Sequence, residues 1–121
     1  MLFKKKSLIV SCQAEGDDPF NSPSGIAMFA KAAEMGGASG VRIEGVKKII
    51  KVINEINIPV IGLIKSTFND GMVKITGSFK DVEILHRIGC KIIAIDGTNR
   101  IRDGITGPMF ISIIKQKYDC L

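Results

Sequence analysis

Short apolar runs alternate with longer amphipathic stretches along the chain. The apolar runs cover residues 7–12, 38–43, 59–65 and 91–96, and they lack the strict apolar-polar alternation of a half-exposed strand. Uninterrupted runs of this length are typical of strands that are covered on both faces of a parallel sheet. Because the stretches between them have a helical period, the pattern predicts repeated βαβ units around a parallel sheet.

The amphipathic stretches carry signals for the start and the end of a helix. Ser22 and Ser78 stand where an N-cap residue is preferred. The pair Gly36-Gly37 and Gly89 stand where helices end, since glycine adopts the left-handed conformation without a Cβ penalty. Residues 66–71 are polar and are predicted to form a loop, and residues 73–76 are predicted to be a short extended segment behind it.

Each predicted helix has one apolar face that we expect to point inward. The residues on these faces are Ile26, Phe29, Ala30, Ala33, Val46, Ile49, Ile50, Ile53, Phe79, Val82, Leu85, Ile88, Phe110, Ile113 and Ile114. The residues of the second helix predicted to point outward are Lys47, Lys48 and Lys51. We therefore expect residues 1–121 to form a single α/β domain with one core.

Two architectures fit this order of elements. A doubly wound sheet of flavodoxin type fits the length, whereas a (β/α)8 barrel needs about 250 residues, so that the chain would be its first four βα units. Neither a Gly-x-Gly-x-x-Gly motif nor a P-loop lysine motif occurs in the sequence, so a nucleotide site has no support. The pattern of elements leaves the choice between sheet and half-barrel open.

The composition indicates which binding partners and which cellular compartment to expect for the protein. The net charge is +5, but the basic residues are scattered apart from the run at residues 4–6, and aromatic residues make up only 6%, so we expect no nucleic acid partner. A phosphorylated small molecule explains the charge equally well. No apolar segment reaches the roughly 18 residues of a membrane span, and no signal-peptide core is present. Three widely spaced cysteines, Cys12, Cys90 and Cys120, predict reduced thiols and therefore the cytoplasm.

Four polar side chains follow or end the predicted strands. They are Gln13, Arg42, Lys65 and Asp96, one for each strand. In a barrel the carboxyl ends of the strands meet at one face, where an amide, a guanidinium, an ammonium and a carboxylate suit an anionic substrate and a proton transfer. Three of them have a concrete structural alternative, because Arg42 can pair with Glu44, Asp96 can cap the next loop, and Lys65 can be a solvated lysine.

Five segments resemble one family in order and spacing. They read Leu8-Ile-Val-Ser-Cys-Gln-Ala14, Gly37-Ala-Ser-Gly-Val-Arg42, Ile58-Pro-Val-Ile-Gly-Leu-Ile-Lys65, Val73-Lys-Ile-Thr76 and Ile92-Ile-Ala-Ile-Asp96. Together they resemble the N-acetylmannosamine-6-phosphate 2-epimerase family. The resemblance implies a (β/α)8 barrel of which this chain is the first half. It also implies interconversion of N-acetylmannosamine 6-phosphate and N-acetylglucosamine 6-phosphate, without metal or organic cofactor, in sialic acid and amino-sugar catabolism.

The matched motifs also imply roles for individual residues. Lys65 corresponds to the family's catalytic lysine, and Gln13 and Arg42 correspond to its substrate-contacting residues, while Asp96 is retained as a supporting candidate. The family's acidic partner and phosphate-binding loops belong to the second half of the barrel. We therefore expect an epimerase that is incomplete and inactive alone. The alternative is a non-catalytic half-barrel that serves in binding or assembly, and in either case open sheet edges predict self-association.

Three loop segments depart from the family pattern. Ser66-Thr67-Phe68 replaces Arg-Asp-Tyr, Ile75-Thr-Gly-Ser78 replaces Ile-Thr-Pro-Thr, and Asp96-Gly-Thr98 replaces Asp-Ala-Thr. The first change removes a charge pair and a phenol from the loop after Lys65. The other two introduce glycine, which loosens a loop. We expect these departures to affect loop positions more than the fold.

Overall fold

Four parallel strands form the main sheet of the computed structural model, which describes residues 2–121. Two further strands form a separate small sheet. In chain order the strands are β1 (Ile9–Ser11), β2 (Gly40–Glu44), β3 (Val60–Leu63), β4 (Lys65–Thr67), β5 (Val73–Ile75) and β6 (Ile92–Ile93). The helices are α1 (Pro23–Met35), α2 (Val46–Ile53), α3 (Phe79–Arg87) and α4 (Gly107–Lys117). The main sheet has the order β1-β2-β3-β6. A flavodoxin-like sheet would place β1 between β2 and β3, so the doubly wound alternative is excluded and the barrel order is confirmed.

The two faces of the sheet differ in character, as β2 shows. Val41 and Ile43 are fully buried in the core that the helices share, whereas Arg42 between them is half-buried on the opposite, inner face. On β3, a Cβ added at Gly62 would overlap the Sγ of Cys90. Glycine at this position therefore leaves room for the Cys90 side chain, two residues before β6, to pack directly on the backbone of β3.

The predicted helix ends agree with the structure. The Ser22 hydroxyl accepts a hydrogen bond of 3.0 Å from the Gly25 N–H, and the Ser78 hydroxyl accepts one of 3.1 Å from the Asp81 N–H. After α1, Gly37 has a φ of 91°, the left-handed conformation expected there. Among the described residues, no helix has the length and the apolar content that crossing a bilayer requires.

Two of the predicted inward residues are wrong. Ile50 of α2 is 41% exposed and Ile113 of α4 is 39% exposed, while Val52, which the pattern had not selected, is fully buried. Most positions of the eight-residue α2 are apolar, so its apolar stripe is wider than the face that contacts the sheet. In α4 the buried residues are Gly107, Phe110 and Ile114, spaced three and four positions apart, and the neighbouring Ile113 lies beside that row.

A small antiparallel hairpin, β4 with β5, follows the third strand of the main sheet. The prediction of a polar loop over residues 66–71 is therefore wrong at its start, and Lys65 is the first residue of the hairpin rather than the end of β3. The pairing of the hairpin extends to its base, where the Thr76 N–H donates to the Ile64 carbonyl at 2.7 Å. The Asp96 N–H, after β6, donates to the Ile75 carbonyl at 2.9 Å and joins the hairpin to the end of the main sheet. Lys65 is consequently held between two hydrogen-bonded elements.

The outer edge of β6 carries the beginning of one more strand. The Leu121 N–H donates to the Lys91 carbonyl at 2.9 Å, and the Ile93 N–H donates to the Leu121 carbonyl at 2.7 Å. Two bonds in this arrangement form a parallel bridge that brackets residue 92. The parallel ladder therefore already extends past β6, by one residue.

Candidate active site

A polar cleft of about 200 Å³ opens at the carboxyl ends of β1, β2 and β3. The backbone just after β1 forms one wall, the hairpin supplies Lys65, and the first turn of α2 forms the far wall. The residues that line it are Cys12, Gln13, Ala14, Glu15, Gly16, Asn21, Ile26, Glu44, Lys48 and Lys65. Its position is where parallel barrels place their ligands.

On one side of the cleft, the Lys65 amine forms hydrogen bonds with two neighbouring side chains. Its Nζ donates to Gln13 Oε1 at 2.9 Å and lies 3.4 Å from Glu15 Oε1. Lys65 is partly buried, whereas the Glu15 side chain is 83% exposed. Because an exposed ion pair is worth only about 0–1 kcal/mol, the Gln13 amide is the better-defined partner of the amine.

Arg42 lies one strand away from this pair, on the same inner face. Ser11 and Arg42 are paired across β1 and β2, and Gln13 Nε2 donates to Ser11 Oγ at 2.6 Å. Arg42 itself does not line the cleft, and within residues 2–121 its guanidinium has no hydrogen bond or ion pair with a protein group. The predicted alternative of an Arg42–Glu44 pair is not formed, since the Glu44 carboxylate faces Lys48 at 3.8 Å.

Asp96 is held away from the cleft by its own loop. Its carboxylate accepts a 2.7 Å hydrogen bond from the Thr98 N–H, and Arg102 Nη2 lies 3.9 Å away. Asp96 and Arg102 are both buried, and Arg102 also donates to the Asp96 carbonyl. The structure thus brings Lys65 and Gln13 together, and places Asp96 in a loop-capping position.

These contacts shift the titration of Asp96. Burial by itself raises the pKa of the Asp96 carboxyl, but the hydrogen bonds from Thr98 and the charges of Arg102 and Arg100 outweigh burial, and the pKa lies below its ordinary value. A carboxyl with a depressed folded-state pKa stabilises the fold above its unfolded pKa of about 3.9, and this contribution is lost as pH falls through the folded pKa.

We expect Asp96→Asn to lower the free energy of unfolding at pH 7 by about 1.5–3 kcal/mol, the value of a hydrogen bond to a charged group. The difference from wild type should be constant down to about pH 4 and shrink below it. Urea unfolding of both proteins between pH 7 and pH 3 measures it. Asp17→Asn, at an exposed position, serves as the control and should follow wild type. A difference that is the same at pH 3 and pH 7 would contradict the assignment.

The sequence interpretation did not assign four polar residues of the cleft to the site, namely Glu15, Asn21, Glu44 and Lys48. Lys48 was predicted to point outward, but its Nζ donates to Asn21 Oδ1 at 2.7 Å and pairs with Glu44. The bond ties the loop after β1, which carries Gln13, to the first turns of α2. Lysines on an amphipathic helix are usually solvated, so nothing in the local pattern distinguishes Lys48 from Lys47. Glu15 was accessible to sequence reasoning, since it follows Gln13 by two residues in an extended segment.

The cleft offers no reactive thiol and no evident metal ligand set. Burial raises the pKa of the Cys12 thiol, which therefore stays protonated near neutral pH and is a poor nucleophile. Across residues 2–121, no three His, Cys, Asp or Glu side chains are grouped as metal ligands would be. The polar chemistry of the cleft is that of amines, amides and carboxylates.

An aromatic ring stabilises the hairpin beside the cleft. Phe68 contacts two cations through its ring, with Arg100 at 4.8 Å and Lys74 at 5.4 Å from the ring centroid. Arg100 also pairs with Asp70, and this hydrogen bond, with one from the Met72 N–H, lowers the pKa of the Asp70 carboxyl. Phe68 thus joins the loop after β6 to the hairpin, although it stands where the family pattern has a tyrosine.

Comparisons with known proteins indicate one family for this chain. A family model described as "Putative N-acetylmannosamine-6-phosphate epimerase" matches residues 26–121. A relative from Clostridioides difficile (strain 630) is 47% identical over 84% of this chain and 46% of its own length. A relative from Borrelia garinii subsp. bavariensis is 43% identical over 94% of this chain and 50% of its own. Both carry the name "Putative N-acetylmannosamine-6-phosphate 2-epimerase".

A solved structure gives the same answer at the level of the fold. The N-acetylmannosamine-6-phosphate 2-epimerase from Clostridium perfringens is 36% identical and superposes with a TM-score of 0.81, over 92% of this chain and 49% of that one. This chain spans about half the length of the curated relatives that it matches. The predicted (β/α)8 barrel family is confirmed, with the chain as the first four βα units. The chain belongs to the N-acetylmannosamine-6-phosphate epimerase family.

Proposed function

We propose that this chain carries the Lys65 half of an N-acetylmannosamine-6-phosphate 2-epimerase site, with residues 1–121 acting as one truncated barrel domain. The observation that supports the proposal most is the Lys65 amine, which Gln13 holds at 2.9 Å at the ligand-binding end of a barrel of this family. The substrate would be the sugar phosphate that the relatives' names specify. The enzyme would be an isomerase.

The residue types suit the reaction. Inverting carbon 2 next to the C1 aldehyde of the open sugar requires one group to take the C2 proton, leaving an enolate, and another to return a proton to the opposite face. We assign Lys65 to one of these transfers. Gln13 orients the Lys65 amine, and Arg42, which has no protein partner among the described residues, is available to an anionic or hydroxyl group of the substrate.

The size of the cleft supports an incomplete site. Its volume of about 200 Å³ is below the roughly 300–1,000 Å³ of ordinary small-molecule sites. In the relatives, the other half of the length would supply the facing wall and the second acid-base group. Asp96 would act only as a support for the loop after β6 and not touch the substrate.

The cellular setting follows from the same proposal. We place the protein in the cytoplasm, in amino-sugar and sialic acid catabolism. All three cysteines are free and buried, as is typical of a reducing compartment. Alone, the chain would self-associate through its unpaired sheet edges and the half-buried inner face, to a homodimer or higher.

The alternative is a non-catalytic half-barrel that serves in binding or assembly, which the small volume of the cleft, about 200 Å³, favours. An activity measurement separates the two functions, because an assembly module needs no exchange chemistry at carbon 2.

We expect the chain alone to show negligible proton exchange at carbon 2 of N-acetylmannosamine 6-phosphate, because the second acid-base group and the phosphate grip are both missing. The measurement is NMR of the C2 proton in deuterated water. Exchange should appear when the chain is co-expressed with the part of the Clostridioides difficile relative that follows its matched region. Robust exchange by the chain alone would show that the second half is dispensable. A folded complex without exchange would overturn the catalytic function and leave the assembly alternative.

A further inference from the structure

Two lysines from different elements hold the loop after β1, residues 13–21. At the start of the loop, the Lys65 amine of the hairpin donates to Gln13 and lies 3.4 Å from the Glu15 carboxylate. At its end, Lys48 Nζ of α2 donates to Asn21 Oδ1 at 2.7 Å. Both lysines line the cleft together with the loop. The position of the loop therefore depends on α2 as well as on the hairpin.

Asn21 connects Lys48 to the part of the loop next to Glu15. Its Nδ2 donates to the Gly16 carbonyl at 2.9 Å. A lysine amine only donates and a carbonyl oxygen only accepts, so the two partners fix the orientation of the Asn21 amide. Gly16 has a φ of 54°, in the left-handed region, and turns the chain directly after Glu15. Two hydrogen bonds and one peptide unit thus join Lys48 to the residue whose carboxylate faces Lys65.

The remaining anchor of the loop is apolar and does not line the cleft. Phe20 stacks on Phe29 of α1, with 4.6 Å between the ring centroids. Across the described part of the chain, Lys48 and Lys65 are the only side chains outside the loop that form hydrogen bonds with residues 14–21. The cleft side of the loop is therefore held by these two lysines.

We propose that Lys48 is a positioning residue for the proton transfer at carbon 2. By holding Asn21, Lys48 keeps the loop in the position at which Gln13 and Glu15 both reach the Lys65 amine. Without this contact both partners of the amine can shift, and the amine loses its fixed orientation towards the substrate. The inference rests on the function proposed above, since it takes Lys65 as the residue that transfers the proton.

A direct contact between Lys48 and the substrate is the competing role, and two features count against it. The Lys48 side chain is only 19% exposed. Its amine already faces the Asn21 amide oxygen and, at 3.8 Å, the Glu44 carboxylate. The charge of Lys48 is therefore already compensated by protein groups.

The first test measures the loop itself, in the 121-residue chain, by hydrogen exchange with mass spectrometry. Lys48→Met removes the ammonium and keeps an unbranched side chain of similar length. We expect the amides of residues 14–21 to exchange about tenfold faster, because a hydrogen bond to a charged group is lost. Lys47→Met is the matched control, since Lys47 is exposed on the same helix, and it should leave the exchange unchanged. Circular dichroism of both variants should match wild type.

A further variant tests the link from Asn21 to Gly16. Asn21→Asp keeps an acceptor for Lys48, but its carboxylate cannot donate to the Gly16 carbonyl. We expect the same faster exchange of the loop as in Lys48→Met. Wild-type exchange in Asn21→Asp would show that Lys48 does not act on the loop through this amide.

The second test separates positioning from substrate binding, in the barrel completed with the second half of the Clostridioides difficile relative. In Lys48→Met, kcat for C2 exchange should fall about 10- to 100-fold while KM stays close to wild type, as expected when a reacting group is misplaced. Lys48→Arg keeps a cationic donor and should recover most of this loss. Adding Lys48→Met to Asn21→Ala should cost no more than Asn21→Ala alone, because both substitutions remove the same contact.

The outcomes separate this inference from the proposed function. Faster loop exchange with a lower kcat and an unchanged KM supports the inference. Loop exchange that is unaffected by Lys48→Met overturns it, whether or not the barrel is active. An unchanged kcat in the active barrel also overturns it, and a raised KM would then make Lys48 a substrate-binding residue. A wild-type barrel without C2 exchange, in which Lys48→Met still speeds loop exchange, supports the contact of Lys48 with the loop and overturns the proposed function.

Discussion

Lys65→Ala is expected to lower C2 proton exchange by about 10²- to 10⁴-fold in the barrel completed with the second half, the value of one positioned acid-base group. The alanine variant keeps the fold, because Lys65 is partly exposed at the start of the hairpin and, within residues 2–121, its side chain forms hydrogen bonds with Gln13 and Glu15 alone. The measurement is the NMR exchange rate at saturating substrate, compared with wild type in the same complex.

Matched variants distinguish proton transfer by Lys65 from the effect of its positive charge. Lys47→Ala removes an exposed lysine from α2 and should leave exchange unchanged. Lys65→Arg keeps the positive charge but carries a guanidinium that does not deprotonate in proteins, so we expect it to be as inactive as Lys65→Ala. Full exchange in Lys65→Ala would remove Lys65 from the mechanism. Exchange retained in Lys65→Arg alone would reduce its role to electrostatic stabilisation.

Arg102→Met is expected to lower the free energy of unfolding by about 3–5 kcal/mol, the usual loss when one member of a buried charge pair is removed. Arg102 is 2% exposed, and its Nη2 donates to the Thr98 and Arg100 carbonyls at 2.9 and 3.0 Å. Methionine fills similar space but leaves these two carbonyls without their donor and removes the cation beside the Asp96 carboxylate, which keeps the hydrogen bond from the Thr98 N–H. Urea unfolding at pH 7 measures the difference.

The control for this loss is Arg87→Met on α3. Arg87 also pairs with a carboxylate, Glu83, at 3.0 Å, but its side chain is 76% exposed. Exposed pairs one helical turn apart contribute about 0.3–0.5 kcal/mol, so this variant should be nearly as stable as wild type. Similar losses in the two variants would show that burial of Arg102 adds nothing. Because domains are stable by only about 5–15 kcal/mol, the expected contrast is easily measured.

The parts of the fold that were predictable are those with a strong local signal. The caps at Ser22 and Ser78 and the order of the main strands follow from side-chain chemistry and from the alternation of strand and helix. The second strand of the hairpin was predicted, as the extended segment 73–76. Its first strand and the pairing were not, because β4 consists of Lys65, Ser66 and Thr67, which have no apolar alternation. Its pairing is decided by contacts with the rest of the chain.

The only residues of the candidate site that could be predicted are those at the ends of apolar runs in the sequence. Gln13 and Lys65 lie at the ends of buried runs, and the structure brings them together. Arg102 had no such signal, because its partners are backbone carbonyls, which leave no mark in a sequence. The same holds for Lys48, whose role depends on the distance between α2 and the loop after β1. Such residues can be identified only from the three-dimensional arrangement of the helices, strands and loops.

The order of the strands also bears on how the chain folds while it is being synthesised. β2 pairs with β1, β3 with β2, and β6 with β3, so each strand leaving the ribosome meets a partner that has already emerged. Each pairing closes a connection of a few tens of residues, and the entropy of closing such loops grows only slowly with their length. This half of the barrel can therefore build its ladder vectorially, from the first strand outward.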